Sequence, residues 1–216
     1  MTSIHLQMAL DVGTTPSLVK LAEQTRDSVD WYEVGTPWIL SSGMAAVDAL
    51  RRAVPDKYIV ADMKIMDGGY YEACLVFEAG ANLVTVLGCA GDATISKVVR
   101  AAREHHGQVM VDLIQVVDLP GRARQVAELG ADFIGAHTAF DDQSAENNPI
   151  ADLAALSGPG FVPVIVAGGI NLKTLPEIAA YHPLTVVVGG ALTNAPHPAE
   201  MARELRKVLV RFEHEG

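Results

Sequence analysis

The sequence predicts an α/β fold of the single-domain (β/α)8, or TIM-barrel, type over residues 1–216. Three observations predict it. Eight apolar runs recur at near-even intervals along the chain. The runs are continuous rather than alternating, as in strands buried on both faces of a parallel sheet. Helical patterns lie between them, the order that β–α units produce. An open doubly wound sheet is the alternative. At this length it would hold fewer strands and carry a glycine-rich turn after the first. Here the first run leads into Asp11-Val12-Gly13-Thr14-Thr15-Pro16, with no G-x-G-x-x-G, and the closed barrel is favoured.

The strands are expected at Leu6–Leu10, Trp31–Val34, Tyr58–Ala61, Leu83–Leu87, Val109–Leu113, Phe133–Ala136, Val162–Ala167 and Leu184–Val188. The first helix is expected over Pro16–Ser28, with Thr15 as its cap and Pro16 in its first turn. Ser42–Val54 ends at Pro55, which cannot continue a helix. Tyr70–Ala79 ends at Gly80, a left-handed stop. Asp92 caps Ala93–His106, closed by Gly107, and Pro120–Leu129 ends at Gly130. Asn171 caps Leu172–Ala180, and Pro198–Glu213 is the last helix. The polar stretch Asp141–Asn148 reads as a mobile loop after the sixth strand, and no linker or composition shift marks a second domain.

Sixteen Lys and Arg stand against 26 Asp and Glu, a formal charge of −10. That field repels polyanions, so nucleic acid and anionic membrane surfaces are disfavoured as partners. No apolar segment reaches the ~20 residues a membrane helix needs. The N-terminus lacks a basic run followed by an apolar stretch, and a cytoplasmic location is the expectation. Two cysteines, Cys74 and Cys89, are too few for a disulfide framework and lack metal-type spacing.

In a barrel of this kind the active site lies at the C-terminal ends of the strands. The tips carry Asp11, Glu33, Asp62 with Lys64 and Asp67, Asp112, and His137. Any one of these acids alone would be structural. Four carboxylates aimed at one mouth repel each other strongly and require a cation. Lys64 supplies one charge, and a hard divalent ion bound through oxygen ligands, Mg²⁺ or Ca²⁺, would supply two more. In Asp62-Met63-Lys64-Ile65-Met66-Asp67, positions 62 and 64 share a face of an extended strand. An ammonium held there can stabilise a developing oxyanion. Gly168-Gly169 and Gly189-Gly190 follow the seventh and eighth strands, where barrels bind phosphate through backbone N–H groups. His137 is placed to move a proton near neutral pH. The other six histidines read as structural.

The stretches Leu6–Asp11, Glu33–Pro37, Ala61–Asp67, Val84–Gly88, Val111–Ile114, His137-Thr138 and Val166–Ile170 resemble the orotidine-5′-monophosphate decarboxylase suprafamily over nearly the whole chain. Asp-x-Lys-x-x-Asp is common to the suprafamily. Within it the chain looks like the 3-hexulose-6-phosphate synthases rather than the 3-keto-L-gulonate-6-phosphate decarboxylases. The decarboxylases have Glu at the position of Asp112, Arg at that of Ala139 and Arg at that of Ala191. The synthases' usual His-Thr-Gly appears here as His137-Thr138-Ala139.

The resemblance implies an aldehyde-lyase that condenses the phosphosugar D-ribulose 5-phosphate with formaldehyde through a 1,2-enediolate, the chemistry of formaldehyde fixation, and that runs in reverse. It implies Mg²⁺ on Glu33 and Asp62, and substrate hydroxyls on Asp11. It implies Lys64 on the enediolate oxygen, Asp112 orienting Lys64 and substrate, and His137 taking the C1 proton. Asp67 would reach into the partner subunit's site of a homodimer. The decarboxylase activity and a non-catalytic phosphosugar-binding barrel are the alternatives.

Overall fold

The computed structural model describes residues 3–144 and 148–213. The centre of the polar Asp141–Asn148 loop, and with it the expectation of a mobile loop there, lies outside the described residues. In chain order the elements begin with β1 (His5–Leu10), α1 (Thr15–Thr25), β2 (Trp31–Val34), α2 (Thr36–Ser42) and α3 (Ala45–Ala53). They continue through β3 (Tyr58–Ile65), α4 (Gly69–Glu78), β4 (Leu83–Leu87), α5 (Asp92–Glu104), β5 (Gln108–Asp112) and α6 (Leu119–Glu128). Next are β6 (Phe133–His137), a 3₁₀ turn at Phe140–Asp142 and α7 (Ile150–Leu156). The chain closes with β7 (Val164–Ala167), α8 (Leu175–Ala179), β8 (Thr185–Val188), α9 (Gly190–Thr193) and α10 (Pro198–Glu213). The eight strands pair in parallel and in sequence order, and β8 returns to β1 to close the barrel.

Each strand sits where an apolar run predicts one. The helices differ in detail. The helix expected over Ser42–Val54 is α3, which starts only at Ala45; an unexpected α2 precedes it and ends where Gly43 adopts φ +61° and its N–H bonds the Ile39 carbonyl at 2.7 Å. α1 is capped by Thr14 rather than Thr15, through a bond from the Ser17 N–H. The side chain of Asn171 does not cap a long helix. Its Oδ1 accepts the Lys173 N–H at 2.9 Å in a turn that precedes α8. α7 and α9 are short elements the apolar pattern does not mark.

Two apolar clusters hold the fold. The larger lies between strands and helices and includes Leu6, Met8, Leu10, Tyr32, Val34, Ile59 and Ala61. The smaller is the barrel interior: Ala9, Trp31, Val60, Leu83, Met110, Phe133, Ile165 and Val187, about one residue from each strand. Successive strand residues point to opposite faces, so this interior layer dictates what stands above it. Two residues further along each strand come Asp11, Glu33, Asp62, Thr85, Asp112, Gly135, Ala167 and Gly189. The polar groups therefore rest on a dry floor, sealed beneath by Trp31 stacked on Tyr58 at 4.2 Å between ring centroids.

Candidate active site

A cavity of about 680 Å³ opens at the C-terminal ends of the strands. Asp11, Glu33, Asp62, Lys64 and His137 line it, together with Gly168, Gly169, Gly189 and Gly190. Residues from six strands or their following loops, remote in sequence, thus share one water-accessible space. Two expected residues are not on its wall. Asp112 is 1 % exposed and lies behind His137. Asp67 is exposed in the β3–α4 loop, where its Oδ1 accepts the Gly68 N–H at 2.7 Å.

The strongest pair is Lys64 and Asp62. The ammonium contacts Asp62 Oδ2 directly, and Thr36 Oγ1 accepts from Lys64 Nζ at 3.2 Å. Burial opposes ionisation of Asp62, but the Lys64 charge and hydrogen bonds from Lys64, Thr85 and Thr36 win, and its carboxyl is held below the usual range. Lys64 loses solvent on burial as well, yet the charges of Asp62, Asp112 and Glu33 hold it above its ordinary value. It is a fixed cation. The alternation rule alone does not bring these two side chains together. Lys64 has φ +47°, and the β3–β4 register shifts between Ala61 and Ile65. A bulge, not a flat strand, aims both at the cavity.

Glu33 is in the opposite condition. Burial, then the negative charges of Asp62 and Asp11, push its carboxyl well above the usual carboxylate range. Gln7, 1 % exposed, donates from Nε2 to Glu33 Oε2 at 2.6 Å. Asp11 is likewise raised by burial and by Asp62, with Lys64 and His137 opposing. Gly35 makes the approach of Asp11 possible, since a Cβ there would stand 2.0 Å from Asp11 Oδ1.

His137 Nδ1 lies 2.8 Å from Asp112 Oδ2, and Asp112 Oδ1 accepts the Ile114 N–H at 3.0 Å. Burial lowers the tendency of His137 to hold a proton, but the hydrogen bond and charge of Asp112 outweigh it, and the imidazole is raised overall. Facing a carboxylate, Nδ1 is the donor, so the neutral ring carries its lone pair on Nε2. The hydrogen bond to His137 is a contact that the expected role of Asp112 did not include. Its hydrogen bonds go to His137 and the backbone, and it reaches Lys64 only through charge.

The turn after β7 needs its glycines, with Gly168 at φ +114° and Gly169 at φ +65°. A Cβ at Gly168 would meet the Thr138 carbonyl oxygen at 2.7 Å. Gln7, Thr36 and Thr85 are the participants that sequence reasoning missed. A signal existed for two of them. Gln7 and Thr85 are polar residues inside apolar runs, and each shares a face with the charged or tip residues beyond it.

An imidazole and an ammonium, each paired with a carboxylate and both lining one cavity, are the groups of an active site, and the architecture that carries them makes this chain a (β/α)8-barrel enzyme. The chain belongs to the Orotidine 5′-phosphate decarboxylase / HUMPS family, which it matches over residues 5–205. It is 41 % identical to the 3-hexulose-6-phosphate synthase of Mycobacterium gastri over 206 residues, covering 95 % of this chain and all of that one. The crystal structure of 3-hexulose-6-phosphate synthase from Salmonella typhimurium superposes with a TM-score of 0.93 at 43 % identity, covering 97 % of this chain and all of the other. The structure of 3-keto-L-gulonate-6-phosphate decarboxylase from Vibrio cholerae shares the fold at a TM-score of 0.85 but is 28 % identical, over 98 % of this chain and 99 % of that one.

Proposed function

We propose that the protein is an aldehyde-lyase that joins D-ribulose 5-phosphate to formaldehyde, giving D-arabino-3-hexulose 6-phosphate, and catalyses the reverse cleavage. The observation that carries this is that His137, backed by buried Asp112, and the Lys64–Asp62 pair share one cavity. Near full-length similarity to named synthases supports it.

The substrate phosphate binds the backbone of the Gly168-Gly169 and Gly189-Gly190 turns. Asp11 holds sugar hydroxyls. His137 Nε2 takes the C1 proton, and the C1–H electron pair forms the C1–C2 double bond while the carbonyl pair moves onto O2. Lys64 hydrogen-bonds that oxygen, now part of the enediolate. C1 then bonds to the formaldehyde carbon as the C2 carbonyl re-forms, and the formaldehyde oxygen takes up a proton. Asp112 keeps His137 in the tautomer that accepts at Nε2.

Among the described residues no three His, Cys, Asp or Glu side chains stand together as a metal cage. Glu33 and Asp62 nonetheless face one space, and burial with the charges of Asp62 and Asp11 outweighs the relief that Lys64 and Gln7 give Glu33. Such an oxygen donor pair suits Mg²⁺, which takes one or two carboxylates and completes its shell with water and substrate oxygens. When bound there, the ion supplies Lewis-acid polarisation of the substrate carbonyl.

One observation separates this activity from the keto-sugar-acid decarboxylase. Among the described residues, Lys64 is the only lysine or arginine lining the cavity, and positions 139 and 191 are alanines. No guanidinium is there to hold a substrate carboxylate.

The active form is a homodimer in which Asp67 completes the partner's site. Asp67 lies outside its own cavity, in a segment that exposes Met66 at 53 % and Tyr71 at 78 %. A cytoplasmic location accords with the absence, among the described residues, of any helix long and apolar enough to cross a membrane.

The deciding experiment mixes ribulose 5-phosphate and formaldehyde with the enzyme, with and without chelator. Hexulose phosphate formed only when Mg²⁺ is free supports the proposal. No product under either condition, with ribulose 5-phosphate bound in calorimetry, would leave a binding protein instead.

A further inference from the structure

The catalytic lysine owes its position to an irregularity in β3, and one buried side chain on the neighbouring strand closes that irregularity. β3 and β4 pair as Val60 with Leu83 and Ala61 with Val84, and then resume as Ile65 with Val86. Asp62, Met63 and Lys64 therefore stand opposite the single residue Thr85. Lys64 pays for this with a backbone φ of +47°, uncommon for a residue with a side chain. A left-handed lysine inside a strand persists only where its surroundings over-determine it.

Thr85 supplies that determination. It is 0 % exposed. Its Oγ1 accepts the Lys64 backbone N–H at 2.9 Å, a donor that the bulge removes from the ladder. The same hydroxyl donates its one proton to Asp62 Oδ1 at 2.8 Å. Asp62 Oδ2 is left to Lys64 Nζ and Thr36. One hydroxyl thus ties the backbone of the lysine to the side chain of its counter-ion.

We propose that Thr85 is a positioning residue for the reaction: its hydroxyl locks the β3 bulge so that Asp62 and Lys64 face the cavity as one rigid pair. The kinetic part of the test rests on the synthase activity proposed above; the structural part does not. Thr85→Val keeps the shape and a strand-favouring side chain but loses both hydrogen bonds. Thr85→Ser keeps the hydroxyl and loses the methyl.

Two readouts decide the matter on the full-length protein. In steady-state assays Thr85→Val is expected to lower kcat by about 10- to 100-fold, with the KM for ribulose 5-phosphate changed less than about threefold, because the phosphate turns lie on other strands. Thr85→Ser is expected to stay within about threefold of the parent in kcat. In hydrogen exchange, the Lys64 amide is expected to be protected in the parent and in Thr85→Ser, and to exchange at least about tenfold faster in Thr85→Val.

A kcat for Thr85→Val within about twofold of the parent overturns the proposal, as does a Thr85→Ser loss as deep as that of Thr85→Val. If Thr85→Val does not fold, Thr85→Ser decides alone, with a loss beyond about tenfold counting against it. If the parent itself makes no hexulose phosphate, the synthase assignment fails, and amide exchange still judges Thr85: equal exchange in parent and Thr85→Val overturns its role.

Discussion

His137 Nδ1 stands 2.8 Å from the buried Oδ2 of Asp112, on the adjacent strand of the barrel. The pairing makes opposite demands on one proton. The raised imidazole stabilises the fold while it is protonated, and that contribution is complete below the unfolded value of about 6.5 and lost as pH rises through the higher folded value. Proton abstraction needs the neutral ring. With His137 as the base, turnover is therefore expected to rise over the same interval in which this contribution to stability falls.

The acid limb of the kcat/KM profile is accordingly expected above the ordinary histidine value of about 6.5. Asp112→Asn removes the charge that raises His137 and should move that limb to lower pH, while cutting the rate about 100-fold or more through loss of the tautomer. A pH–rate profile checks both. A limb that stays in place in Asp112→Asn would show that another group controls it.

Glu33 predicts a conflict between stability and ion binding. Its raised carboxyl contributes stability below the unfolded value and loses it as pH rises. Replacing it by Gln should raise the metal-free melting temperature near pH 8, by about 2–4 °C for each ~1 kcal/mol relieved. The parent is expected to gain thermal stability from Mg²⁺, increasingly with pH because binding would displace the Glu33 proton, and the variant is expected not to. Thermal scans with and without chelator at two pH values test this. A Glu33→Gln variant that Mg²⁺ still stabilises would remove Glu33 from the ion site.

Breaking the Lys64–Asp62 pair has two separable effects. Lys64→Met leaves Asp62 as an uncompensated buried charge and should cost roughly 3–5 kcal/mol of stability as well as nearly all activity. Adding Asp62→Asn to it should recover most of the stability and none of the turnover. Denaturant unfolding beside the condensation assay distinguishes them. Recovery of activity in the double variant would contradict the role given to the ammonium.

Gly35 is predicted to matter through the room it leaves for Asp11 and the end of β1. A Cβ there would press within 2.0 Å of Asp11 Oδ1 and 2.9 Å of the Leu10 carbonyl oxygen, forcing that carboxylate and the end of β1 that carries it aside. Gly35→Ala should raise the KM for the phosphosugar about tenfold or more, the size of one lost hydrogen bond to a charged group. Unchanged kinetics would mean that Asp11 does not hold substrate.

Much of this was open to reading from residues alone. The apolar runs marked the strands, and the tips yielded the acids, the lysine and the histidine, because a strand buried on both faces is a continuous apolar run whose end any segment carries in its own residues. The Gly168-Gly169 pair was legible for a similar reason: a positive φ restricts the residue locally, whereas Gly189-Gly190 carries no such conformational demand. The helix α2 was less so, since Gly43 marks only its end and its start depends on how Thr36 and Pro37 leave β2.

What the chain determined by itself was therefore the layer order of the barrel and the membership of its mouth. Tertiary structure decided who pairs with whom: Asp112 with His137 rather than Lys64, Gln7 with Glu33, and Thr85 with both ends of the β3 bulge. The reason is physical. Facing is set by alternation within a strand, whereas a hydrogen bond between neighbouring strands depends on their register and twist, and here on one lysine held at an uncommon φ, none of which a run of apolar residues encodes.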